Sequence, residues 1–469
     1  MSDDLAMLPA TELAARYRDG SLSPVAATEA ALDRVVLLNE ALNALCLVDG
    51  RSALDAAARS QARWRQGQPL GPLDGVPVSV KDTLLTKGWP TLRGSNAIDA
   101  NQPWDQDAPA VARLRDGGAV LIGKTTTPEL AGKPVTDSPL TGITRNPWNS
   151  NLTPGGSSGG AAVAVATGMG ALALGTDAGG SIRIPASFTG VFGFKPSLGR
   201  VAAWPPSPRG SLSQIGPISR TVEDVAMAMA VIAGPDPRDW YALPADGGGL
   251  RASDDGVRGL RMAYCADMGS AGVEPEVAAL AAGGAELMQG LGAEIEAADP
   301  GLGPLREQFL DLVTPGLAEA VNGFAAEARA RMDPGLLVFA DMGERVSLKA
   351  HLRAMKAREA AGVTMNLFHQ DYDLLLTPTV PIPAFAAGSD VPPGSGLEHW
   401  IDWTPFTYPF NLTGQPAASV PCGVTGSGLP VGLQVVGPRH RDELVLQACR
   451  AFEAARPFVM PPLRDHGAA

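Results

Sequence analysis

Between Ser23 and Ile122, stretches of helical length alternate with short apolar runs, and that alternation leaves few architectures open. Ser23 followed by Pro24 supplies an N-cap and a preset first turn, and Ala31, Val35 and Leu38 fall on one face of the helix that follows. A second helical stretch, about residues 52–65, ends in polar and glycine residues before the strand-like Val76–Val80, with Lys81 at that strand's end. Pro109 to Arg115 reads as a helix, Gly117-Gly118 breaks it, and Ala119–Ile122 reads as the next strand. Such a pattern predicts an α/β fold with a mixed or mostly parallel central sheet. Further on, Leu260–Tyr264, Asp373–Leu376 and Val431–Val436 read as strands, residues 304–370 as mainly helical, and 441–455 as a closing helix. The polar, Pro/Gly/Asp-rich residues 234–257 read as a linker or surface loop. The expected organisation is one large α/β core carrying a helical insertion, with no internal repeat.

Composition narrows the class. Gly and Pro together make 96 of 469 residues, but periodic apolar segments lie among them, which excludes a collagen-like or disordered chain. A chain of this length buries a sizeable core without disulfide or metal staples. The net charge of −12 argues against a nucleic-acid surface, which needs a basic stripe, and against adhesion to anionic membranes. Cys46, Cys265, Cys422 and Cys449 lie far apart with no paired spacing, so they read as isolated thiols. MSDDLAMLPA lacks the basic and apolar regions of a signal peptide, and no apolar run is long enough to span a bilayer. A cytoplasmic protein with no membrane partner is expected.

Three motifs bear on chemistry. Gly118-Ala-Val-Leu-Ile-Gly123-Lys124-Thr125 fits the GxxxxGK[ST] string of a phosphate-binding loop. Its middle residues are those of a buried strand, where a phosphate loop needs a turn, so nucleotide binding is only a remote alternative. The histidines (His351, His369, His399, His440, His466) have no zinc-ligand spacing and no GxSxG elbow accompanies them, so each reads as a surface or packing residue. The third lead is stronger. Pro154-Gly-Gly-Ser157-Ser158-Gly-Gly and Asp177-Ala-Gly-Gly-Ser181 are separated by one small-residue helix (about 160–167) and one strand (about 171–175). That arrangement can bring both turns to one edge of a sheet. Gly179 and Gly180 let consecutive N–H groups point at one spot, so a nucleophile after them carries its own oxyanion hole, worth about 3–4 kcal/mol per donor.

PGGSSGG followed by GTDAGGSIRIPA closely resembles the amidase signature family. GVPVSVKD, TLRGS, GKTTTPE and TGITRNPWN upstream, and LLLTPTVP, PFNLTGQPAASVPCG and LPVGLQVVGP downstream, resemble that family's blocks in order and spacing, over roughly residues 5–458. The resemblance implies one domain spanning residues 1–469, with a twisted mixed sheet of about eleven strands covered by helices and a core signature region at about 76–200. It implies Ser181 as nucleophile, Ser157 as a second serine after a cis peptide bond, and Lys81 as base. The oxyanion hole is then the N–H groups of Ala178, Gly179, Gly180 and Ser181. Ser158 is expected to orient Lys81 or cap a helix, Asp177 and Arg183 to brace the loop, and Asp82 to be structural. Cys422 is read as a core thiol with the pocket as the other option. No cofactor or metal is implied, and by analogy a homodimer is among the expected assemblies.

Substrate choice in the family lies largely in a variable region, here about residues 305–410. Phe309, Leu312, Met332, Met342, Trp400, Trp403, Phe406 and Tyr408 in that region either line an apolar pocket or fill core. The expectation is an amidase of small to medium apolar or aryl amides, with carbamates and esters as further substrates. The alternative is the glutaminase subunit of a tRNA-dependent amidotransferase. The variable region shows nothing like that subunit's AEASSNLARYDG stretch.

Overall fold

The computed structural model describes residues 4–244, 250, 252–269 and 272–462. Eleven strands form one sheet: β1 (Leu45–Val48), β2 (Pro77–Lys81), β3 (Val120–Thr125), β4 (Leu172–Asp177), β5 (Phe192–Lys195), β6 (Gln214–Ser219), β7 (Arg261–Tyr264), β8 (Glu294–Ala297), β9 (Leu374–Pro378), β10 (Ala417–Val424) and β11 (Pro430–Val436). Their order across the sheet is β1-β3-β2-β4-β6-β5-β10-β11-β9-β7-β8. β3, β2 and β4 run parallel to one another, as do β9, β7 and β8, while the middle strands pair antiparallel. The sheet is therefore mixed, as the alternating pattern predicts.

Local chemistry explains most element boundaries. The Ser23 side chain accepts from the Ala26 N–H and starts the helix Pro24–Leu42. Asp49 does the same for Ser52, which starts the next helix at Gly50, two residues before the point that the sequence suggests. β3 is longer than the expected Ala119–Ile122. It is paired with β1 on one side and β2 on the other, and this double ladder carries Gly123, Lys124 and Thr125 into the strand. The helix Gly159–Ala166 is buried on every side, which its Gly/Ala/Val composition permits.

The largest core cluster joins β2, β4, β5 and β11 with flanking helices through residues such as Val78, Val80, Leu172, Leu174, Phe194 and Val435. A separate cluster lies in the helical region, made of Arg306–Asn322, Pro334–Glu344 and Leu348–Asp371 with a short turn of helix at Ala326–Arg329. Within the helix Arg306–Asn322, Gly316 is obligatory: a Cβ there would stand 1.8 Å from the carbonyl oxygen of Pro208. That contact lays the helix against the Pro-rich segment 203–213. Residues 245–249 and 251 of the expected 234–257 loop lie outside the described residues.

Candidate active site

Because β2 and β4 are parallel neighbours, their C-terminal ends meet at one sheet edge, the place where α/β sheets hold ligands. Lys81 closes β2 and Thr176-Asp177 close β4. The Lys81 amine is fully buried and donates to Ser157 Oγ at 2.7 Å, Ser158 Oγ at 2.9 Å and Thr176 Oγ1 at 3.0 Å. Among the described residues it has no carboxylate within ion-pair distance. Burial, with the Arg209 guanidinium nearby, pushes Lys81 well below the ordinary lysine pKa, and the Asp177 charge offsets this only in part. The Gly156–Ser157 peptide bond is cis. The Ser158 N–H donates to the Ser181 carbonyl at 3.1 Å, which ties the two Gly/Ser turns together.

Asp177 organises the second turn. Its carboxylate accepts from the N–H groups of Gly180 (2.7 Å) and Ile182 (3.1 Å) and from Arg183 Nε and Nη2. Arg183 spends its remaining donors on the Thr407 carbonyl, Gln434 Oε1 and Asn411 Oδ1. Burial opposes charge on Asp177, but the Arg183 guanidinium outweighs it and holds the carboxyl far below the usual range. Neither residue lines a cavity. Gly180 sits at φ +129°, and a Cβ on it would stand 2.5 Å from Thr407 Oγ1, so no other residue fits.

That network changes the set of amides that can face a ligand. The Gly180 N–H is taken by Asp177, whereas the N–H groups of Ala178, Gly179 and Ser181 have no partner among the described residues. Three of the four expected donors are therefore open, and the fourth serves the turn. Ser181 Oγ also stands without a partner among the described residues, and no hydrogen bond joins it to Ser157 Oγ.

Two cavities adjoin Ser181. The larger, about 370 Å³, is bounded by Ser157, Thr176, Ala178 and Ser181 on one side, by Leu84, Leu130 and Phe324, and by much of the segment 203–215. The smaller, about 30 Å³, is walled by Phe309, Val313, Leu317, Phe339 and Trp400. Ala131, Ala178, Ser181 and Arg209 line both.

Comparison with known proteins now decides the family. The Amidase family profile matches residues 26–446. An acylamidase of Rhodococcus erythropolis is 37% identical over 463 residues, covering 97% of each chain. The chain belongs to the amidase signature family. It is a hydrolase acting on carbon–nitrogen amide bonds. A glutamyl-tRNA(Gln) amidotransferase subunit of Myxococcus xanthus (strain DK1622) is also 37% identical, over 484 residues and 97% of this chain and 98% of its own. Among solved structures, a bacterial aryl acylamidase of the same family superposes with a TM-score of 0.90 at 32% identity, covering 96% of each chain.

The other sequence candidates take different places in this amidase. Lys124 lies within β3, donates to the Leu84 carbonyl at 2.6 Å and Thr91 Oγ1 at 2.8 Å, and faces Asp82 at 3.5 Å, so the phosphate-loop string has no loop. His351, His369, His399 and His440 line neither cavity, and His466 lies outside the described residues. The Cys422 thiol is buried, donates to the Val431 carbonyl, and burial pushes its pKa up to about 12. Of the eight variable-region residues, Phe309 and Trp400 reach the smaller cavity. Trp403 stacks on Phe188, and Tyr408 on Phe309. The sequence reading passed over the segment 203–215, although Trp204-Pro-Pro-Ser-Pro-Arg209, between β5 and β6, is a rigid run ending in a cation. Among the described residues no group of three or more His, Cys, Asp or Glu side chains is placed to hold a metal ion, and no helix is long and apolar enough to cross a membrane.

Proposed function

We propose that this amidase cleaves small to medium, apolar or aryl amides through an acyl-enzyme on Ser181, with Ser157 and Lys81 relaying the proton. The observation that carries the reading is the buried Lys81 amine, hydrogen-bonded to three hydroxyls and free of any carboxylate partner among the described residues. A serine hydroxyl needs a base, and a desolvated neutral lysine is one. Ser181 Oγ turns onto Ser157 and attacks the carbonyl carbon while its proton passes to Ser157 and that of Ser157 to Lys81. The carbonyl oxygen, now negative, takes hydrogen bonds from the open N–H groups of Ala178, Gly179 and Ser181. The relay then runs backward, the leaving nitrogen takes the proton, and the C–N bond breaks. Water, deprotonated by the same relay, releases the acid. Carbamates and esters fit the same acyl-enzyme chemistry. The apolar walls of both cavities and the likeness to acylamidases support the substrate class.

The test is peptide-mapped mass spectrometry after a fluorophosphonate probe, on wild type, Ser181→Ala and Lys81→Ala. An adduct on Ser181, absent in the first variant and much slower in the second, is expected; an adduct on Ser157 or Ser158 overturns the relay. The amidotransferase relative supports a second reading, a glutaminase subunit that passes ammonia to partner subunits. Glutamine hydrolysis that depends on added partner subunits would favour it.

A further inference from the structure

The junction of the two cavities holds a cation that carries no proton in the relay. Arg209 is one of the four residues that line both cavities, beside Ser181 and Ala178. One of its terminal nitrogens donates to the carbonyls of Leu130 (3.1 Å) and Ala131 (3.0 Å), two residues whose positive φ angles of 50° and 55° shape that turn. The rest of the fork has no partner, and Arg209 makes no ion pair among the described residues. A second arginine, Arg93, lines the larger cavity without an ion pair of its own among the described residues. Its nearest acidic influence is Asp82, which already faces Lys124. The acidic group on this cavity is Glu319, which is exposed.

A partly buried guanidinium with unspent donors costs desolvation energy that an incoming anion repays, and with one terminal nitrogen held by the two carbonyls, the Nε–H and the other terminal N–H groups are left to donate to a carboxylate. We infer that Arg209 is a substrate-selecting residue: it binds a carboxylate carried by the amide within two or three bonds of the scissile carbonyl, with Arg93 adding to the same positive field. This rests on the Ser181 reading above and deepens it. The chemical class is an apolar or aryl amide bearing an acid group. Two sources supply one: the half-amide of a dicarboxylic acid, with the charge on the acyl side, and an N-acyl amino acid, with the charge on the amine side. Burial lowers the Arg209 pKa to about 10, which leaves the guanidinium charged at neutral pH.

The experiment compares kcat/KM for three matched substrates, namely a neutral acyl anilide, the succinic half-anilide and an N-acylglycine, in wild type, Arg209→Gln and Arg209→Lys. Wild type is expected to prefer one acidic substrate over the neutral one by about ten- to a hundredfold, the range of a hydrogen bond to a charged group. Which acidic substrate is preferred identifies the side. Arg209→Gln is expected to bring the ratio to about one, through KM, and Arg209→Lys to restore part of it. Equal turnover of acidic and neutral substrates by wild type, or an equal loss on all three in Arg209→Gln at a pH above the acid limb of both enzymes, overturns the inference and leaves Arg209 as a tether for residues 130–131. Calorimetric binding of the same compounds to Ser181→Ala, with and without Arg209→Gln, reads selectivity without turnover. Fluorophosphonate labelling of Ser181 reports separately on the relay, so failure of the one is distinguishable from failure of the other.

Discussion

In the proposed relay Lys81 is the base, and a lysine works as a base only while it lacks its proton, so its surroundings would set the working pH. Burial and the Arg209 charge lower its pKa in the folded enzyme; as pH falls through that lowered value the amine is protonated and the relay stops. Activity is therefore expected to rise with pH along an acid limb and then level. Removing the cation in Arg209→Gln should move that limb to higher pH, which a kcat/KM profile reads directly. A different outcome belongs to Asp177, whose charge is matched by Arg183 in a pair with no solvent exposure. Asp177→Ala strands that guanidinium and is expected to cost about 3–5 kcal/mol in denaturant unfolding. The three residues of the proposed relay, Lys81, Ser157 and Ser181, stand out in the sequence because they sit in short, unusual strings, and the fold brings Lys81 within 2.7 Å of Ser157. What could not be read was which amides remain open, since the claim of Asp177 on the Gly180 N–H depends on how the turn folds back on itself.

Element boundaries were legible where a cap or a glycine pair marks them, and less so where pairing decides. β3 outran its apolar stretch because strands flank it on both sides. The packing of the helical region on the core was hidden altogether, since its anchors are distant in sequence. Lys133 bonds Asp137, Asp333 and Asp390, each at 2.9 Å, and Asp333 in turn caps the helix Pro334–Glu344. Gly316 is another such anchor. Gly316→Ala drives a methyl into the Pro208 carbonyl and must part the helix from the segment that walls the larger cavity. The expected result is a loss of about 1–3 kcal/mol in thermal or chemical denaturation, together with a raised KM.

Across the whole molecule, the middle of the sheet carries a further buried amine. Lys195, at the end of β5, donates to the carbonyls of Pro196 and Gln415, and burial lowers its pKa to about 7. Between that value and the ordinary lysine pKa the unfolded chain binds more protons than the folded one, so this position makes the fold more stable as pH rises through the interval. Lys195→Met is expected to flatten the dependence of Tm on pH between about 7 and 10. The alternating sheet pattern predicted the fold class, yet strand order was beyond any local signal: β5 pairs with β10, more than two hundred residues later.

The same long reach governs the Ser181 turn, which is braced by Thr407, Asn411 and Gln434. A ribosome that has delivered every group of the proposed relay by Ser181 has still not delivered the clamp that shapes them. Unfinished or clipped chains ending before residue 400 thus carry the full chemical alphabet of the proposed relay without its grammar.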